Sequence, residues 1–337
     1  MLAAVLRIPK PIEENPLILT DIPVPSPREH EVRIQVHACG MCRTDLHTVE
    51  GDIHLPKLPI VPGHQIVGVV DARGQEARRF GEGERVGVAW LQHACGHCRY
   101  CKNGKENLCG EAEFTGLQAD GGYAEFSIVN EAFAYPLPKG FSDSQAAPLL
   151  CAGVIGYRAL RLSEIRRGER LGIFGFGASA HIIIQIARDW NCEVYVFTRS
   201  SDHQKHAQAL GAAWVGRAED SPPERLQAAI IFAPAGRLVL DALRVLDKGG
   251  TVALAGITMT PIPEIDYSSL LYHERRLRSV ANATRRDAEE LLTLASEIPL
   301  RTEVELFSLP QINRAFQKLK QSQIRGAGVV EISSPGK

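Results

Sequence analysis

The sequence predicts an α/β protein in two parts: a β-rich first part, and a later part in which a parallel sheet is wound with helices on both faces. Three observations carry this. From Met1 to near Cys151, short strand-like runs are punctuated by Pro and Gly. Beyond Cys151, short apolar runs alternate with helix-like segments, the pattern that builds a parallel sheet with helical crossovers. The first of these runs ends in a Gly-rich turn that opens a helix.

In the first part, Val32-Arg33-Ile34-Gln35-Val36 alternates apolar and polar residues as a half-buried strand does. Ile66 to Val70 is a continuous apolar run and Arg85 to Ala89 a shorter one, and a barrel or sandwich is expected. In the second part, Leu171–Phe174, Glu193–Phe197, Ala229–Phe232 and Thr251–Ala255 read as buried strands. Ala152–Leu162, Ala178–Trp190, Asp202–Leu210 and Leu238–Leu246 read as helices between them. The alternation weakens beyond residue 283, and the tail from Arg285 to Lys320 is expected to be largely helical and to fold back on the first part.

A chain of 337 residues suggests two domains. Its 45% hydrophobic and 23% charged content is that of an ordinary globular enzyme. A formal net charge of -1 gives no ground for a nucleic-acid or anionic-membrane partner. No apolar run approaches the ~20 residues that span a bilayer. The opening MLAAVLRIPKPIEENPL lacks a basic leader and is interrupted by Pro9 and Pro11, so no signal peptide and a cytoplasmic location are expected. In a reducing compartment the eight cysteines read as ligands or buried thiols rather than disulfides.

The turn Gly175-Phe176-Gly177-Ala178-Ser179-Ala180 has the G-x-G-x-x-A form of a dinucleotide fingerprint. Gly175 permits the tight turn, Gly177 lets a pyrophosphate approach the backbone, and Ala180 allows close helix–strand packing. The phosphates would sit over the helix N-terminus. Alone, such a turn is common between strands and helices; the flanking strand and helix sharpen it. At the end of the next strand, Phe197-Thr198-Arg199-Ser200 lacks the carboxylate that receives a ribose 2′-hydroxyl. Thr198 and Ser200 can hydrogen-bond a 2′-phosphate and Arg199 can pair with it, so NADP is expected, with NAD open. Equally, Arg199 could simply point to solvent.

Cys95-x2-Cys98-x2-Cys101-x7-Cys109 supplies four thiolates at close spacing, which suits a closed tetrahedral zinc of structural role. A zinc ribbon for nucleic acid is the rival, but its CxxC pairs lie farther apart and no basic stripe accompanies these. A second set is dispersed: Cys42, His64 and Cys151. Taken singly, each also fits a buried thiol, a capped loop histidine or a core cysteine. Together they offer two thiolates and an imidazole, the three-ligand set of an open catalytic zinc.

In this order, Cys42-Arg43-Thr44-Asp45, Gly63-His64, the four-cysteine lobe, Cys151-Ala152-Gly153 and Gly175 to Ala180 resemble the zinc-containing medium-chain dehydrogenase/reductase family, in its alcohol dehydrogenase branch. The resemblance spans essentially the whole chain. It implies a GroES-like catalytic domain from residues 1–152 and 284–337, with a structural lobe near 93–112, and a Rossmann domain over 153–283. It implies two zincs per chain, one at Cys42, His64 and Cys151 and one at Cys95, Cys98, Cys101 and Cys109, with Cys39 and Cys192 as ordinary buried thiols. It further implies hydride exchange between an alcohol or aldehyde and NAD(P). Thr44 would contact the alcohol and His47 would pass its proton outward. Arg43 would meet the pyrophosphate, Asp45 would orient His64, and Trp90 and Leu91 would line the substrate pocket unless they are plain core. A homodimer or homotetramer is implied as well. The family commonly has Gly-His-Glu where this chain has Gly63-His64-Gln65; losing that charge should make the zinc more electrophilic. A zinc-stabilised binding protein without catalysis, or an enzyme for aromatic allylic alcohols, is the alternative.

Overall fold

The computed structural model describes residues 1–332. The chain forms two compact units. The first comprises Met1–Cys151, Asn282–Glu297 and the segment from Arg301 onward; the second comprises Ala152–Ala281 and Ile298–Leu300.

In the first unit a seven-stranded sheet runs in the order Val304–Ser308, Ala327–Glu331, Glu31–Gly40, Gln65–Arg73, Arg85–Val88, Ala134–Pro136, with Phe126–Asn130 also paired to Glu31–Gly40. All neighbours are antiparallel except the first two strands, which are parallel. Inward residues Val32, Ile34 and Val36 are fully buried, as the alternation requires. The register between the two long strands sets Gly40 opposite Gln65 and Cys39 opposite Ile66, so Cys42 and His64 leave neighbouring strand ends.

The segment from Arg285 to Lys320 is largely helical and, apart from Ile298–Leu300, belongs to the first unit, as expected, with one unexpected strand inside it and another beyond it. Arg285–Glu297 and Ile312–Lys320 are helices, but Val304–Ser308 and Ala327–Glu331 are strands of the same sheet. The physical reason lies in pairing. Val304–Ser308 is of mixed burial, with only Phe307 in the core, and carries no clean alternation; it is held by the backbone ladder to Ala327–Glu331.

The second unit is a six-stranded sheet, parallel throughout, in the order Trp214–Gly216, Glu193–Phe197, Arg170–Phe174, Leu226–Ile231, Leu246–Leu254, Arg276–Ser279. Numbered along the chain this is 3-2-1-4-5-6, the order of a doubly wound dinucleotide fold. The inner strands Glu193–Phe197, Arg170–Phe174 and Leu226–Ile231 are apolar and buried because both faces are covered, whereas the edge strand Arg276–Ser279 is polar and mostly exposed; Phe174 and Phe197 stack with ring centroids 4.2 Å apart. The order reverses between Arg170–Phe174 and Leu226–Ile231, the switch point at whose strand C-termini doubly wound sheets bind their ligands. Among the described residues no helix is long and apolar enough to cross a membrane.

Candidate functional site

Cys42 is the N-cap of the helix Arg43–Glu50, and its sulfur accepts from Thr44 N at 3.2 Å while Asp45 Oδ2 accepts from Cys42 N at 2.9 Å. The local capping box therefore fixes the thiolate's direction. His64 precedes the strand Gln65–Arg73 and follows Gly63, whose φ of 98° only glycine tolerates well. A Cβ on Gly63 would also come within 2.9 Å of Cys39 Sγ. Cys151 follows the short helix Ala147–Leu150.

These three elements bring Cys42 Sγ to 3.4 Å from His64 Nε2 and to 3.9 Å from Cys151 Sγ, and the three ligand atoms lie within 4.8 Å of one another. Tetrahedral zinc with ordinary bond lengths needs edges of about 3.5 Å (S to N) and about 3.8 Å (S to S). The spacing matches. Asp45 Oδ1 accepts from His64 Nδ1 at 2.8 Å, with both side chains buried, which leaves the Nε2 lone pair toward the sulfurs. The hydrogen bond from Cys151 holds the Cys42 thiol well below its ordinary pKa, against the effect of burial, and pushes Cys151 well above. Zinc binding at these thiols requires that their protons leave.

Thr44 is buried beside Cys42, and His47 lies on the same helix with Nδ1 2.8 Å from Asp52 Oδ2. Asp52 was not legible as a partner. Gly51, with φ 84°, ends the helix and folds Asp52 back toward His47, a turn that only the capping glycine hinted at. The Trp90 ring lies 5.9 Å from that of His64 and 4.6 Å from that of Phe114, an aromatic wall on one side of the ligands. Leu91 instead turns into the hydrophobic core of the first unit. Gln65 is buried and its Nε2 has no hydrogen-bond partner. Arg43 is exposed and donates to Ser322 Oγ at 2.9 Å. Cys39 and Cys192 are buried thiols.

The four cysteines of the lobe converge, with Cys95 and Cys101 sulfurs 3.9 Å apart and Cys98 and Cys101 sulfurs 3.6 Å apart. All four lie within 4.8 Å of one another. Backbone N–H groups of Cys98, Cys95 and Glu111 point at these sulfurs. The backbone N–H of Cys101 draws the Cys98 thiol down to about 6, whereas burial pushes Cys101 up to about 12. The strand pair Leu91–His93 and Glu113–Phe114 closes the lobe. Buried Glu106 accepts from Arg285 N at 3.0 Å and ties it to the helix Arg285–Glu297, 179 residues away in sequence and beyond any local signal.

In the second unit, Gly175 has φ 87°, and a Cβ there would meet Ala233 N at 3.1 Å. Gly177 caps the helix Ala178–Asp189 with no side-chain hydrogen bond, and a Cβ on it would meet nothing within 4 Å. That open space over exposed helix N–H groups fits a pyrophosphate. Ala180 is fully buried. At the next strand end Thr198 is buried and Arg199 is exposed, with no hydrogen bond or ion pair among the described residues. Ser200 Oγ accepts from His203 N as a helix cap, which leaves its own O–H to donate.

Residues 28–139 match the alcohol dehydrogenase GroES-like domain, and residues 180–297 match the zinc-binding dehydrogenase family. A probable alcohol dehydrogenase, AdhA, from Mycobacterium tuberculosis (strain CDC 1551 / Oshkosh) is 47% identical over 97% of this chain and 96% of its own. An alcohol dehydrogenase of Geobacillus stearothermophilus is 34% identical over 94% of this chain and 96% of its own. Among solved structures, a cinnamyl alcohol dehydrogenase from Sorghum bicolor superposes with a TM-score of 0.88 at 25% identity, covering 97% of each chain.

Proposed function

This chain belongs to the zinc-containing alcohol dehydrogenase family and is an NAD(P)-linked alcohol dehydrogenase, and from that premise we propose which of its residues do the work. Cys42, His64 and Cys151 would hold the zinc that serves the reaction; Cys95, Cys98, Cys101 and Cys109 would hold a second, structural one. The observation that carries this is the matching tetrahedral spacing at Cys42, with Asp45 behind His64. Bound zinc would supply Lewis acidity, and bound nicotinamide dinucleotide the two-electron acceptor or donor.

The chain's own groups supply alignment and proton transfer. The Thr44 hydroxyl, on the helix that Cys42 caps, orients the alcohol oxygen. Asp52 accepts from Nδ1 of His47, which leaves Nε2 to take a proton and release it to solvent. Trp90 excludes water from one side of the site and would face the substrate. His47→Gln should slow alcohol oxidation near neutral pH by about tenfold or more with zinc content unchanged. An unaltered pH–rate profile would remove His47 from the mechanism.

Gly175, Gly177 and Ala180 would cradle the pyrophosphate, with Arg43 as its cationic partner. The unengaged Arg199 guanidinium and the donor hydroxyls of Thr198 and Ser200 favour NADP over NAD. Arg199→Asp should lower kcat/KM with NADPH by about a hundredfold, as expected for losing a charge-assisted phosphate contact and gaining a repulsion. A parent enzyme whose kcat/KM is higher with NADH sinks this preference. The proposal extends to a cytoplasmic homodimer or homotetramer. One panel of alcohols and aldehydes, assayed with both cofactors and with zinc counted per chain, tests the whole reading. Two zincs and turnover support it; one zinc without turnover favours a structural binding protein.

A further inference from the structure

Among the described residues three groups of side chains can gather a metal ion. Two are the sets above. The third, Cys95, His97 and Glu111, has ligand atoms within 4.8 Å of one another; it shares Cys95 with the lobe set, and its other two members, His97 and Glu111, belong to neither site.

We propose that Cys95, His97 and Glu111 form a way-station through which zinc enters and leaves the four-cysteine lobe. This rests on the reading of that lobe as a zinc site. A closed four-thiolate ion has no open position, so exchange needs an outside group to replace its ligands one at a time. The third group is placed for that. It shares Cys95 with the closed set, so an ion can move between the two without losing that bond. His97 and Glu111 are exposed, whereas Cys109 is buried, so the way-station lies on the solvent side. His97 Nδ1 donates to the carbonyl of Cys95 at 2.9 Å, which tethers the ring to the shared ligand. Glu111 N donates to Cys109 Sγ at 3.4 Å, which anchors the Glu111 backbone to the set, and its carboxylate lies within 4.8 Å of the Cys95 and His97 ligand atoms. Imidazole and carboxylate are both competent zinc ligands. As the ion passes from the way-station to four thiolates, the thiol protons leave to water.

The test is zinc transfer from the holoenzyme to excess 4-(2-pyridylazo)resorcinol, followed by absorbance. Release should show two phases, and the phase missing in Cys151→Ser belongs to the other zinc and serves as an internal reference. In His97→Ala combined with Glu111→Gln, the lobe phase should slow by about tenfold, with the reference phase and the total of two zincs unchanged. A lobe merely loosened by the substitutions would release its ion faster, so an unchanged or faster lobe phase overturns the proposal. If the only zinc of the parent protein is the one lost in Cys151→Ser, the reading of the lobe fails as well; two zincs with unchanged rates overturn the way-station alone.

Discussion

Cys151→Ser should hold one zinc per chain where the parent holds two, and its kcat/KM for alcohol oxidation should fall by about a thousandfold or more. Lewis-acid stabilisation is worth several kcal/mol, and ~4 kcal/mol of barrier corresponds to that factor. The substitution removes one of the three convergent ligands and leaves Cys42 and His64 as an incomplete set. The fold should survive, because the Cys151 side chain is only partly buried and follows a helix whose own residues Ala147, Leu149 and Leu150 are packed in the interior. Zinc counted by mass spectrometry of the ion, together with steady-state kinetics, checks both parts. A variant with two zincs and parental turnover would show that Cys151 is a core cysteine and no ligand.

Cys98→Ser should cost the other zinc and unfold the lobe locally. Zinc bound to small four-ligand modules contributes on the order of 10 kcal/mol to their folding, and this lobe has little else. Between Cys95 and Glu111 only Glu106, Asn107 and Cys109 are buried, and two of these are polar. Gly96 and Gly104, at φ 75° and 64°, let the segment wind round an ion but give it no rigidity of their own. Its anchors include the Glu106 bond to Arg285 and the short strand pair at the lobe's base. Limited proteolysis should therefore cut the variant between Cys95 and Glu111 while the parent resists, with one zinc retained per chain. Parental resistance to cleavage, or two retained zincs, contradicts this.

The sites differ in how far local pattern could reach. The lobe cysteines lie within 14 residues of one another, so their convergence is close to a local property of the chain. The Gly175 to Ala180 turn is likewise local: a strand, a glycine at positive φ and a helix start in succession. Cys42 and Cys151 are 109 residues apart, and no periodicity links them. Their grouping came from ligand chemistry and resemblance; in the fold, the register that sets Gly40 opposite Gln65 brings Cys42 and His64 together, and Cys151 reaches them from the end of the helix Ala147–Leu150. Leu91 shows the limit of reading a pocket from position alone. It follows Trp90, but Trp90 stands at a bend while Leu91 opens the strand Leu91–His93, so one side chain lies beside His64 and the other enters the core.

By itself the sequence determined the α/β class, the doubly wound cofactor unit and the residue types of two metal sets. The class, the cofactor unit and the four-cysteine set follow from short-range rules, namely apolar period, turn chemistry and ligand spacing; the dispersed set follows from ligand chemistry and resemblance. The tertiary structure alone decided the two strands in the C-terminal tail, Asp52 behind His47, Glu106 beneath Arg285, and the neighbouring third group at Cys95, His97 and Glu111. These depend on which exposed or polar group meets which partner once the sheets are in register. A strand such as Val304–Ser308 becomes a strand because a paired backbone is waiting for it, and that partner is set by the fold and not by its own five residues.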